Sequence, residues 1–148
     1  MVSYEGIFFE EEARKIIYEQ EKVHLPEIND EIHCTFLYHP SNEELFDELV
    51  GREFLVTLIG YGCDGKNSGF EITIPKELKG YYRNWDSEKN QFKKPHITTS
   101  LTSDSKASYT KDLNFIPLER PIPVIGKFGY WIKEDNLEFL SFTPQKKD

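Results

Sequence analysis

Two seven-residue stretches alternate in the same way, and that repetition constrains the chain more than anything else in it. Glu31–Leu37 reads Glu-Ile-His-Cys-Thr-Phe-Leu and Pro95–Leu101 reads Pro-His-Ile-Thr-Thr-Ser-Leu. A strand sends successive side chains to opposite faces. Ile32, Cys34 and Phe36 then share a core face, with His33 and Thr35 on the other. In the second stretch His96, Thr98 and Ser100 share one face and Ile97, Thr99 and Leu101 the opposite one. Each strand presents an imidazole and a hydroxyl roughly 6–7 Å apart. Paired imidazoles suit proton transfer near neutral pH, one accepting a proton from a nucleophile and the other giving one to a leaving group. The hydroxyls suit phosphate oxygens, where charge builds in the transition state.

The remaining chain places these strands in a fold. The 148 residues suit one domain, residues 1–148, long enough to bury a core. Tyr4–Phe9 reads as a first strand and Glu10–Glu21 as a helix opened by three glutamates, a solvated N-terminus rather than a metal cluster. Ser41–Val50 reads as a second helix: Ser41 and Glu44 form a capping box, Leu45, Phe46, Leu49 and Val50 the buried stripe, and Gly51 the stop. His39 is read as a turn residue that joins the His33 face if the strand runs on, and His24 as exposed. Arg52–Gly60 is a strand. Gly60–Asn67 has nearly the spacing of a nucleotide-binding glycine loop, but the chain continues as a strand, so it is read as a hairpin turning at Asp64-Gly65. Glu77–Lys94 is irregular and joins Tyr81, Tyr82, Trp85 and Phe92 with Arg83, Lys93 and Lys94; its functional reading is a lid that stacks on a base. Thr102–Asp112 reads as a loop at the rim of the site, Leu113–Leu118 as a short strand, and Pro121–Trp131 with Asn136–Phe142 as a closing hairpin. This order predicts an α+β fold: a mainly antiparallel sheet with helices on its outer faces and an open central groove.

Composition narrows the function classes. The formal net charge of −8 disfavours long duplex nucleic acid, which binds through neutralised phosphates, but not a small anion in a locally basic groove. The two cysteines, Cys34 and Cys63, have no metal-ligand spacing and read as reduced thiols. The N-terminus lacks a basic region followed by an apolar run, and no apolar run reaches the roughly 20 residues of a membrane helix. A cytoplasmic protein without a membrane partner is expected, in the host cytoplasm if the chain is viral.

With His33-Cys34-Thr35-Phe36 and His96-Ile97-Thr98-Thr99 in view, the chain resembles the 2H phosphoesterase superfamily. That superfamily includes 2′–5′ RNA ligase-like phosphoesterases, the cyclic phosphodiesterase domains of tRNA ligases, and viral enzymes that degrade cyclic-nucleotide immune signals. The compact phage phosphodiesterases of cyclic oligonucleotides are the most similar in size and motif placement. The resemblance implies two pseudo-symmetric lobes, each giving one His-x-Thr to a shared groove, with His33, Thr35, His96 and Thr98 catalytic. The expected activity is cleavage of a phosphodiester or cyclic phosphate in a small nucleotide, without metal or other cofactor. A cyclic oligonucleotide of antiviral signalling is the leading substrate. An RNA-end 2′,3′-cyclic phosphodiesterase or RNA ligase-like enzyme is the alternative. Ser100, Lys94, Tyr82, Trp131 and Phe8 are the expected substrate contacts. Two rival readings remain: a module that sequesters a nucleotide without cleaving it, and a structural α+β domain whose histidines lie far apart or face the core.

Overall fold

Strand periodicity carries most of the chain. In a computed structural model describing residues 1–148, ten strands, one α-helix and three short 3-10 turns follow in order: β1 (Val2–Phe8), α1 (Glu11–Gln20), β2 (Glu27–Ile28), β3 (His33–Tyr38), a turn at Asn42–Glu44, β4 (Glu53–Cys63), β5 (Asn67–Thr73), a turn at Lys76–Tyr81, β6 (Trp85–Asp86), β7 (Gln91–Phe92), β8 (His96–Leu101), a turn at Ala107–Asp112, β9 (Ile116–Glu134) and β10 (Leu137–Ser141). Eight strands form one sheet in the order β2-β8-β5-β4-β9-β1-β3, with β10 on β9; β6 and β7 make a separate small hairpin. Every pairing is antiparallel. The result is α+β, as the element order predicts. No helix is long and apolar enough to cross a membrane.

The second expected helix does not form. Ser41 and Glu44 do cap a turn, the Ser41 N–H donating to the Glu44 carboxylate at 2.9 Å, but only Asn42–Glu44 is helical. Tertiary partners hold the segment in another path. The Phe46 N–H donates to the buried Glu5 carboxylate at 3.1 Å. The Asp47 carboxylate accepts from the Tyr130 hydroxyl at 2.7 Å and from the Gln145 and Lys146 amides at 2.9 Å each. Leu45, Phe46 and Leu49 are buried all the same, so the apolar stripe packs as its spacing predicts although the backbone is not helical. The hairpin at Asp64-Gly65 is present, with Gly65 at φ +87° and Asp64 accepting from the Lys66 and Asn67 amides. The two strands expected at Leu113–Leu118 and Pro121–Trp131 are one, β9, which pairs with β4 along Ile116–Lys127 and with β1 along Lys127–Ile132.

The same local construction is built twice. On one side β3 lies on β1, and a register shift leaves Phe36 unpaired, since Gly6 faces Thr35 while Glu5 faces Leu37. On the other, β8 lies on β5, and the shift leaves Thr99 unpaired, since Gly69 faces Thr98 while Ser68 faces Ser100. Each His-x-Thr strand therefore carries a bulge immediately after its threonine. Gly6 in turn faces Gly129, and Gly69 faces Gly62. The outer edges match as well. The Asn84 side chain donates to the Thr35 carbonyl at 3.3 Å and the Arg83 amide to the Phe36 carbonyl at 2.9 Å. Across the molecule the Asn29 side chain donates to the Thr98 carbonyl at 2.7 Å and the Asn29 amide to the Thr99 carbonyl at 2.9 Å.

Behind these strands, Ile32, Cys34, Phe36 and Ile97 enter a core with Ile7, Ile17, Phe70, Ile72, Leu78 and Phe128. Phe36 meets Phe128 and Tyr82 edge-on, at 5.5 and 5.3 Å between centroids. One carboxylate lies among them. Glu5 is wholly buried, and its Oε2 is the one buried side-chain polar atom without a hydrogen-bond partner. Burial, reinforced by Glu44, Glu48 and Asp47, pushes its carboxyl from 4.5 up to about 8 against the opposing Phe46 amide. The folded state thus holds this proton more tightly than the unfolded chain, and stability falls as pH rises from about 4.5 towards 8. Over the 2.5 units between 4.5 and pH 7 this amounts to about 3 kcal/mol. Glu5→Gln keeps the acceptor for Phe46 and removes the titration. Its melting temperature is expected to exceed that of the parent at pH 8 and to match it near pH 4. Equal pH dependence in the two proteins would refute the assignment.

Candidate active site

Although β3 and β8 lie at or near opposite ends of the strand order, the sheet folds over until they line one cavity. That cavity, of about 40 Å³, is walled by His33 and Thr35 from β3 and by His96 and Thr98 from β8, with Asn29, Tyr38, Lys93, Ala107 and Ser108 around them. It has room for a phosphoryl-sized group; the body of any larger ligand must lie outside. Two roomier clefts, of about 600 and 750 Å³, carry no histidine, so donor chemistry rather than size singles out the site.

The two imidazoles are held alike. His33 Nδ1 lies 2.7 Å from the Glu31 carbonyl and His96 Nδ1 2.7 Å from the Lys94 carbonyl, each two residues back. A carbonyl can only accept, so Nδ1 carries the proton in both rings and Nε2 is left free. Both rings are half-buried. Burial lowers the His33 pKa from 6.5 to about 4, opposed by its Glu31 hydrogen bond and assisted by the His96 imidazole. Burial also lowers His96, with the Lys93 and Lys111 ammonium groups adding to the effect and the Lys94 carbonyl and Asp112 opposing it. Neither ring gains a proton readily.

The threonines differ in their engagement. The Thr98 hydroxyl donates to Thr110 Oγ1 at 2.7 Å, and Thr110 also accepts from Asn67 Nδ2 at 3.0 Å. Thr35 Oγ1 has no such protein partner and is free to donate into the cavity. Lys93 brings the only ammonium group among the lining residues; its Nζ lies 5.3 Å from the centre of the Tyr38 ring. Burial and the neighbouring Lys111 lower the Lys93 pKa against the pull of Asp86 and Asp112.

The structure brings His33, Thr35, His96 and Thr98 together and leaves the five expected substrate contacts outside the cavity. Ser100 is redirected by the bulge at Thr99: it is buried, and its hydroxyl donates to Glu21 at 2.7 Å. The Lys94 side chain lines a neighbouring cleft, and only its carbonyl serves the site, through His96. Tyr82 is buried with its hydroxyl on the Lys93 carbonyl at 2.8 Å. Phe8 is buried 5.5 Å from His33, ring to ring, and supports it. Trp131 stacks on Tyr4 at 6.1 Å, and Tyr4 on His33 at 4.7 Å, so the indole is one ring removed from the imidazole. His39 stays a turn residue, at φ 50°. The bulge at Phe36 instead turns the exposed Tyr38 to the His33 face. His24 is mostly exposed and pairs with Glu21 at 2.7 Å.

Four further lining residues differ in how much signal the sequence carries for them. Lys93 stood in the aromatic and basic stretch before His96. Ala107 and Ser108 fell within the expected rim loop. Asn29 had no signal, because its role depends on reaching Thr98 across 69 residues of sequence. Compared with known proteins, the chain matches no family model and no curated sequence.

Proposed function

We propose that this chain is a phosphodiesterase of the 2H type, cleaving a phosphodiester or cyclic phosphate in a small nucleotide with two imidazoles and no metal. The observation that carries the reading is the mirrored setting of His33 and His96: two Nδ1–H tautomers locked by backbone carbonyls at 2.7 Å, above two threonines that share a cavity. The duplicated bulges and edge clamps support a 2H-like arrangement of two lobes. Both imidazoles in one cavity also count against a structural domain with unrelated histidines.

On a 2′,3′-cyclic phosphate, His33 Nε2 takes a proton from water as the water oxygen bonds to phosphorus. The bond from phosphorus to one ribose oxygen breaks, and that oxygen takes a proton from His96 Nε2. On a ribose-linked diester, a neighbouring ribose hydroxyl replaces the water and gains from proximity. His33 is assigned as base because its pKa is depressed to about 4, so it stays neutral through most of the working range. Thr35 donates to a nonbridging oxygen, Thr98 does so once Thr110 reverses its hydrogen bond, and Lys93 offsets the growing charge.

The sign of the pH dependence follows. Free enzyme is competent when His33 is neutral and His96 protonated. Activity falls as pH drops through about 4 and falls again as pH rises through a His96 value below 6.5. The kcat/KM profile is expected to peak on the acid side of pH 6.5, while kcat extends further into the neutral range because bound phosphate favours imidazolium. A kcat/KM optimum above pH 8 would contradict the assignment.

The direct test is incubation, with excess chelator, against 2′,3′-cyclic mononucleotides, a short RNA ending in a 2′,3′-cyclic phosphate, linear 2′–5′ oligonucleotides, and cyclic di- and trinucleotides. Products are read by mass. Cleavage by the parent and not by the His33→Ala His96→Ala protein establishes the chemistry and selects the substrate. A compound retained intact by both proteins would replace the enzyme with a sequestering module.

A further inference from the structure

Lys93 also belongs to a second cavity. Beside the histidine site a cleft of about 120 Å³ is lined by Lys89, Lys93, Lys94 and Lys111, with Asp86 and Asp112. Four ammonium groups against two carboxylates leave this cleft with a formal charge of +2, by subtraction, in a chain whose total is −8. Part of this charge is fixed in place, and the excess is left unpaired. Lys111, 15% exposed, is held at 2.8 Å by the carboxylate of Asp86, itself 6% exposed. Asp86 also accepts from the Glu88 and Lys89 amides at 3.1 and 3.3 Å. Lys89 Nζ lies 2.9 Å from Asp112. Neither Lys93 nor Lys94 has a carboxylate within ion-pair distance. The excess is felt inside the catalytic cavity, where Lys93 and Lys111 both oppose protonation of His96.

One phosphoryl group in the histidine cavity does not use this cleft. Lys93 can reach a group there, but Lys89 and Lys94 line the second cavity alone. We propose that the cleft is a second anion site that holds the phosphate next to the one being cleaved. Resting on the phosphodiesterase reading above, this makes the preferred substrate an oligonucleotide of at least two phosphates, not a mononucleotide. Lys93 then stands between the two phosphates and touches both. Lys89 and Lys94 recognise the second by charge, which carries no base specificity.

The test uses two compounds with the same scissile group: adenosine 2′,3′-cyclic phosphate, and the dinucleotide ApA ending in that cyclic phosphate. Their cleavage and their equilibrium binding are measured with the parent and with a Lys89→Ala Lys94→Glu variant. The parent should favour the dinucleotide by about tenfold or more in kcat/KM and in affinity, as one desolvated charge contact implies. The variant should lose that preference, read as the ratio between the two compounds so that any effect of Lys94→Glu on His96 cancels, and show a shallower salt dependence for the dinucleotide. Equal handling of the two compounds by the parent, or a preference that survives in the variant, overturns the second site and leaves the phosphodiesterase reading standing. Lysine-dependent binding of the dinucleotide without cleavage of either compound does the reverse. Failure to bind or cleave either compound overturns both.

Discussion

His33→Ala and His96→Ala are each expected to lower kcat/KM by about 10³-fold or more on whichever nucleotide the parent cleaves, within the usual range for a lost general acid or base. The double variant should fall little further. A pair that transfers two protons in one step works as a unit, and removal of either partner disables it. Folding is not expected to confound the measurement, because both rings are half-buried at the cavity wall and the core behind them is built from Ile32, Cys34, Phe36 and Ile97. Circular dichroism and melting curves should therefore stay close to those of the parent. His33→Ala also removes a stacking partner from Tyr4, so a modest loss of stability is expected there. Single-turnover rates settle the question: retention of more than about a tenth of the parental rate by either variant removes paired acid–base chemistry from this site.

Gly6→Ala and Gly69→Ala are expected to produce the largest losses of stability, about 4 kcal/mol or more each. An added Cβ at Gly6 would stand 2.1 Å from the Cys34 carbonyl oxygen, and at Gly69 2.2 Å from that of Ile97. Both obstacles are backbone atoms of the middle residue of a His-x-Thr unit. No rotamer change relieves them, and the strand must move away from its neighbour. A domain of this size has only about 5–15 kcal/mol to lose. Gly80→Ala is the control, since nothing lies within 4 Å of the added carbon there. Urea titration should show the midpoint falling sharply for the first two and little for the third. Whatever fraction of either variant still folds should lose activity as well, because the displaced strand carries the imidazole.

Side-chain periodicity made the strands around both histidines readable, along with the core residues behind them and the hairpin at Asp64-Gly65. It could not show where alternation breaks. The bulges at Phe36 and Thr99 lie in runs with no glycine or proline to mark them; their causes, Gly6 and Gly69, sit on the neighbouring strands. One unpaired residue exchanges the faces beyond it. Ser100 therefore turns inward to Glu21, and Tyr38 takes the place on the His33 face that unbroken alternation gives Leu37, which moves His39 off that face. The helix expected at Ser41–Val50 failed for a related reason. Its caps and apolar stripe are local, while the tertiary partners that hold the segment, Glu5 on the Phe46 amide and Tyr130 and Gln145 on the Asp47 carboxylate, are 41 to 98 residues distant. Lys93 and Lys94 were equivalent in the sequence, and only the path of the chain into His96 decided which ammonium group meets the cavity.

The position of β3 has a consequence for how the molecule comes into being. Within the sheet His33 is carried by a strand that pairs with β1 alone, and β1 is anchored on the last third of β9, at Lys127–Ile132. Its edge partners Arg83 and Asn84 add only a few bonds. A ribosome releasing β1 and β3 withholds their anchor until Lys127–Ile132 has followed. At about 5–20 residues per second, that delay is several seconds. The second half, β4, β5 and β8, can pair locally in the meantime, although β4 too waits for β9 on its other edge. His96 can thus be in position well before His33, and the two histidines come together only when β1 docks on β9.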